Sequence, residues 1–243
     1  MEQLWFTALL NRFFGRATLA LLNAIGVHPR HPEAPITNAV SMEILVVLFL
    51  TTLFVIVRTR LSVDRPGGLQ HGFELVENFF SGLASETIGH DYERYMPYLT
   101  ALGLFILTSN LIGLIPGLES PTGNVVVPLG CAALTWVYYN FQGIRVNGPI
   151  GYLKHFMGPM WQISFLMFPI EIFSHAARLL SLTVRLYANI FAGDRVNLVF
   201  ISLVPIGFPL VSEALHIMVA FIQTYIFVLL ACVYIGEATA HNH

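Results

Sequence analysis

Charged and polar residues recur at intervals of seven within the most apolar half of this 243-residue chain. Glu171, Arg178 and Arg185 are each two helical turns apart and so share one helix face. Ser174 and Ser181 repeat the interval, and Asn189 lies one turn beyond Arg185. Asp194, nine residues past Arg185, points to the opposite side of a regular helix. A second stripe follows, with Ser212, His216, Gln223 and Tyr234 on one narrow face. Carboxylates and imidazoles exchange protons, whereas a guanidinium keeps its charge even where water is scarce. The two stripes therefore have the makings of a proton path beside a fixed cation.

The cost of such groups depends on their depth. An ionisable side chain at the centre of a bilayer costs about 2.5–3.5 kcal/mol on insertion scales. End residues escape by extending toward water, but Arg185 is 16 residues from Pro169 and 20 from Pro205. The plainer alternative is that polar residues in spans simply hydrogen-bond neighbouring helices. It suits Asn110 and the serines best, Asn189 and Gln223 less well, and the Asp194–His216 combination and Arg185 least.

The elements that must carry these residues follow from composition. Hydrophobic residues make up 56% of the chain and charged residues 11%, against about 25% charged in soluble domains. Mean hydropathy is +0.69. The expected fold is an all-α integral membrane protein with about five spanning helices. The last two are expected to be long, strongly tilted and antiparallel, and an N-terminal and an inner-surface amphipathic helix are expected besides the spans. Residues 1–35 read as an interfacial segment and 36–243 as one transmembrane ion-channel domain. Residues 3–25 alternate polar positions (Gln3, Thr7, Asn11, Thr18) with Trp5, Phe13 and Phe14, the pattern of a helix lying on a membrane surface. Glu2, Arg12 and Arg16 do not fit a secretory signal.

The spacing predicts spans over about 40–57, 97–118 and 125–143, with an amphipathic helix over about 69–87. Arg58, Arg60 and Arg65 after the first span mark the cytoplasmic side, which places the N-terminus outside and the C-terminus inside. The closing pair is predicted over 169–203 and 209–239, roughly 52 and 46 Å long at 1.5 Å per residue. A bilayer core is about 30 Å thick. A turn near residue 206 would fold them antiparallel and match three levels in depth. Asp194 and His216 would share an outer level, Arg185 and Gln223 a central one, and Glu171 and Glu237 an inner one.

These residues resemble a known family. The run 182–194 (LTVRLYANIFAGD) is similar to the signature of subunit a of the rotary F-type ATP synthase. His216, Gln223 and Phe227 through Tyr234 resemble that family's last helix, and Ser120-Pro-Thr its outside loop. The likeness extends over about residues 40–240. It implies that Arg185 is the essential stator arginine facing a ring of c subunits. It assigns Asn189, Asp194, His216 and Gln223 to an outer half-channel. The inner half-channel would hold Glu171, Ser174, Ser181 and Tyr234. It implies partners in the c ring, the peripheral-stalk b subunits, lipid and protons, and a bacterial inner membrane as the site. The chain departs from the pattern at Gly123 and Asn124, where many members carry an acid, and at Val126 and Pro128, commonly polar. Glu119 is a candidate substitute. Aspartate at 194 is shorter than the usual glutamate.

Other classes fit less well. A net charge of −2 makes nucleic acid a poor partner. No phosphate-cradling glycine loop is present, so the chain is not expected to bind ATP or to be an enzyme by itself. Nor is a metal or other cofactor expected; His241 and His243 read as a solvated tail. Cys131 and Cys232 sit in apolar runs and read as buried thiols. An ion antiporter would need inverted repeats and broken helices, and a passive scaffold leaves Arg185 without a reason.

Overall fold

A computed structural model describes residues 4–26, 34–62, 67–89, 91–115, 117–157, 164–203 and 208–240. Among them are seven α-helices and no strand. They are α1 (Trp5–Ala24), α2 (Asn38–Thr59), α3 (Gly68–Ile88), α4 (Met96–Leu111), α5 (Val126–Met157), α6 (Ser164–Leu203) and α7 (Phe208–Thr239). Four stretches are long and apolar enough to cross a membrane: Asn38–Thr59, Met96–Leu114, Phe165–Phe200 and Leu210–Thr239. Trp136, Tyr138, Tyr139, Asn140 and Gln142 dilute the apolar character of α5, which packs lengthwise on α6 and α7.

In α1 the polar stripe faces the protein and the apolar one faces away. Asn11 pairs with the backbone of Ile36, donating to its carbonyl at 3.1 Å and accepting from its N–H at 3.0 Å. Thr7 is buried, while Trp5, Phe13 and Phe14 are exposed. That is the reverse of a water-solvated helix and the arrangement expected where lipid is the solvent. In α3 the predicted stripe is turned inward along α7 and α4. Phe80 and Ala84 are buried, and Phe80 lies against the face of α4 left bare by Gly103.

Several boundaries differ from expectation. The chain leaves helix at Leu111, not 118, because it doubles back through the 3-10 turns Ile112–Leu114 and Pro121–Gly123. A side chain at Gly113 would meet Ser120 at 2.9 Å, so glycine permits that reversal. The Ser120 hydroxyl donates to the Ser109 carbonyl at 2.8 Å, and the Thr122 hydroxyl to Asn110 Oδ1 at 2.7 Å. α5 runs past 143 to Met157, but Gly148 takes φ 71° and breaks it in two. Pro149 then opens the second piece, where a missing N–H costs nothing. α6 begins at Ser164, so Pro169 lies within the helix and does not start it. Proline withdraws one hydrogen bond and can leave the turn before it helical. The expected turn near residue 206, the cluster of Arg65 with Pro66, and His241 and His243 lie outside the described residues.

The core lies where α3, α4, α5, α6 and α7 converge, around Leu99, Ile106, Tyr139, Leu186, Phe227 and Ile235. Both cysteines are free and buried within it. The outer face of α6 is the least covered. Of the residues in an 18-residue apolar window of α6 only 11% are buried within the chain, against 44% in that of α4. Phe173, Leu180 and Val184 stand exposed along it, as do Met218, Phe221 and Ile222 on α7. An apolar surface of this extent needs lipid or another protein as its solvent.

Candidate functional site

The polar residues of α6 and α7 meet in one seam between the two helices. Their antiparallel register is fixed by side-chain pairs: as residue numbers fall along α6, partner numbers rise along α7.

Nearest the junction of the two helices, Asn197 donates to Glu213 at 2.9 Å. One turn further, Asp194 Oδ1 stands 3.8 Å from His216 Nδ1. Glycines shape this pocket from two sides. A side chain at Gly193 would come within 3.2 Å of His216 Nδ1, and one at Gly123 within 3.4 Å of Asp194 Oδ2. Gly123, which stands where an acid was expected, thus leaves room for the Asp194 carboxylate. It also carries the Pro121–Gly123 turn, with its buried Thr122–Asn110 bond, up to α6. His216 is 7% exposed, and its Nε2 makes no hydrogen bond among the described residues.

At mid-seam, Asn189 donates to Gln223 Oε1 at 2.7 Å. Gln223 is only 1% exposed. The expected Arg185–Gln223 level is therefore occupied by two amides, and Arg185 sits a turn away. Its guanidinium reaches the Ser181 hydroxyl at 3.4 Å. No carboxylate of the described residues lies within ion-pair distance of Arg185. Asp194, nine residues or about 13.5 Å of helix rise away, is engaged instead with His216 of α7.

On the far flank Glu171 and Glu237, expected at one depth, do not pair with each other. Each carboxylate has its own basic partner. Arg178 donates to Glu237 at 2.9 Å, and its guanidinium lies 5.0 Å over the ring of Tyr234. His175 Nε2 faces Glu171 Oε1 at 3.4 Å. The other ring nitrogen is 2.6 Å from the hydroxyl of Tyr139 on α5. Ser174 is half-buried nearby. Sequence reasoning missed His175, although its place one turn after Glu171 was readable. It also missed Tyr139, for which a residue on a separate helix gives no signal.

An all-helical membrane chain with guanidinium, carboxylate and imidazole groups along one interhelical seam is an ion-handling membrane subunit. Comparison with known proteins specifies which. A family model for the ATP synthase A chain matches residues 39–236. ATP synthase subunit a of Koribacter versatilis is 58% identical over 242 residues, spanning 100% of this chain and 99% of that one. The subunit a of Solibacter usitatus is 46% identical, over 97% of this chain and all of its own. That of Sulfurihydrogenibium is 39% identical over 83% and 97%. The chain belongs to the ATP synthase subunit a family and is a membrane-sector subunit of that complex.

Proposed function

We propose that the chain is the stator of proton-driven rotation, with Arg185 as the fixed charge between two half-channels that do not join. A ring of c subunits, each with a membrane carboxylate, would pass the exposed face of α6. Arg185 would attract each carboxylate as it arrives deprotonated and bar protons from crossing directly. Asn189, Asp194, His216 and Gln223 would line the path from the outside. Glu171, Ser174, Ser181 and Tyr234 would line the path to the cytoplasm. The peripheral-stalk b subunits would hold the chain against the ring. The N-terminus would lie outside and the C-terminus in the cytoplasm of a bacterial cell.

The observation that carries this reading is the state of Arg185. It lies midway along a long helix that is the least covered of the four spanning stretches, with a serine hydroxyl as its hydrogen-bond partner among the described residues. A cation so placed calls for an anion supplied from outside the chain. The test is ATP-driven proton pumping by the intact complex in vesicles. Arg185→Ala is expected to abolish it, and undiminished pumping would refute the assignment. Arg185→Lys should also fail largely, because a compact ammonium lacks the planar fork and gives up its proton more readily when poorly solvated.

A further inference from the structure

The seam holds two imidazole–carboxylate couples, one on each flank of Arg185. Asp194–His216 joins α6 to α7 at 3.8 Å. Glu171–His175 lies within α6 at 3.4 Å, and α5 completes it through Tyr139. The second couple belongs to no residue set assigned above except through Glu171.

We propose that His175 is a proton-carrying residue of the cytoplasmic half-channel, oriented by Tyr139 so that its Nε2 faces Glu171. The inference rests on the half-channel reading just given.

The geometry fixes the direction of the bonds. An ionised Glu171 can only accept, so the ring nitrogen facing it carries the hydrogen. With the imidazole neutral, Nδ1 is then the acceptor, and the Tyr139 hydroxyl at 2.6 Å donates to it. Tyr139 is 2% exposed and stacks on the imidazole at 5.6 Å between centroids, which holds the ring in this orientation between transfers. Glu171 is the less covered partner, its side chain 25% exposed against 9% for His175. A proton taken up by His175 makes an imidazolium. The incoming proton forms an N–H bond at Nδ1, the ring's basic nitrogen, as the Tyr139 hydroxyl turns from donor to acceptor. The Nε2–H bond then breaks as an O–H bond forms on Glu171, which leaves a neutral ring and a carboxylic acid at the less covered position. Release of that proton from Glu171 and a half-turn of the imidazole, which exchanges its two nitrogens, restore the starting tautomer.

The surroundings suit a group that changes charge. His175 stacks on Tyr139 of α5 and lies in electrostatic reach of Glu171 and Arg178 from its own helix and of Glu237 from α7; Tyr234 packs on Tyr139, and Tyr152 is in reach of the same three charged groups. Arg178 is engaged by Glu237 and Tyr234. Glu171 therefore remains the carboxylate in reach of the imidazole. A purely structural histidine would need only its tyrosine bond and no carboxylate open to water.

The test uses the whole ATP synthase in inverted vesicles, with ATP-driven pumping measured against the pH on the cytoplasmic side. His175→Ala is expected to slow pumping by about tenfold or more. Added imidazole is expected to restore it in proportion to concentration, and the pH dependence on that side to flatten. Tyr139→Phe should keep the ring packing and shift the pH midpoint more than the maximal rate. His175→Gln carries the same test if the alanine variant does not assemble. Wild-type rates with an unchanged pH profile, or a slow variant that imidazole does not rescue, overturn the proposal. Arg185→Ala in the same preparation separates the two readings. If it is inactive while His175→Ala is normal, only the role of His175 falls. If it pumps, the half-channel reading falls with it.

Discussion

At the residue scale the informative pair is Asp194 with His216. Their 3.8 Å separation is too long for a hydrogen bond and short enough for strong charge coupling. Groups so close do not act independently. The Asp194→Asn and His216→Ala changes are expected to combine non-additively, the double variant slowing passive proton entry more than either alone but less than the product of the two effects. Simple additivity in the logarithm of the rate would show that the two groups do not share a relay. Arg185 illustrates the opposite condition, a permanent charge kept away from the one acid near it in sequence. Distance along the helix achieves this, since nine residues span about 13.5 Å of rise.

At the element scale the helices approach closely because glycines let them. A side chain at Gly143 on α5 would stand 2.9 Å from the carbonyl of Ala238 on α7 and would also strike the Tyr152 ring. Backbone cannot yield as a flexible side chain can. Gly143→Ala is therefore expected to destabilise the α5–α7 contact by about 1–3 kcal/mol. The effect should appear as a lower melting temperature of the purified complex. Gly130, on the same helix, has nothing within 4 Å of such an added carbon. Gly130→Ala should leave the melting temperature unchanged or raise it slightly. Equal effects at both positions would show that close approach is not what glycine provides at 143. The hydrogen bond from Asn147 to the Ala238 carbonyl at 3.0 Å ties the same two helices beside that point.

At the scale of the whole molecule the Arg178–Glu237 pair joins residues 59 apart in sequence. It holds the end of α7 to α6 beneath Tyr234, partly screened from water. Reversing one charge leaves two like charges in contact, which is costly in a partly desolvated seam. Arg178→Glu is expected to reduce the amount of the subunit assembled in membranes, and Glu237→Arg in the same chain to recover part of it. An absence of any recovery would show that the pair does not hold the seam closed.

Much of this was legible from residues alone. Hydropathy requires lipid as solvent, since no arrangement of so few charges could cover the apolar surface. The interval of seven puts Glu171, Arg178 and Arg185 on one face whatever the fold, because it follows from helical geometry. The same geometry sets Asp194 about 13.5 Å of helix rise from Arg185, and the run 182–194 carries the family likeness. What the sequence could not determine is which polar group meets which. Depth counted from a turn is good to about one helical turn, and adjacent polar residues on a seam are also one turn apart. Tertiary packing therefore gave Gln223 to Asn189 instead of Arg185, and gave Glu171 and Glu237 separate basic partners. It also brought in Tyr139 from α5 and Gly123 from the Pro121–Gly123 turn, whose positions depend on how α5 and that turn pack against α6, which spacing within one helix does not encode.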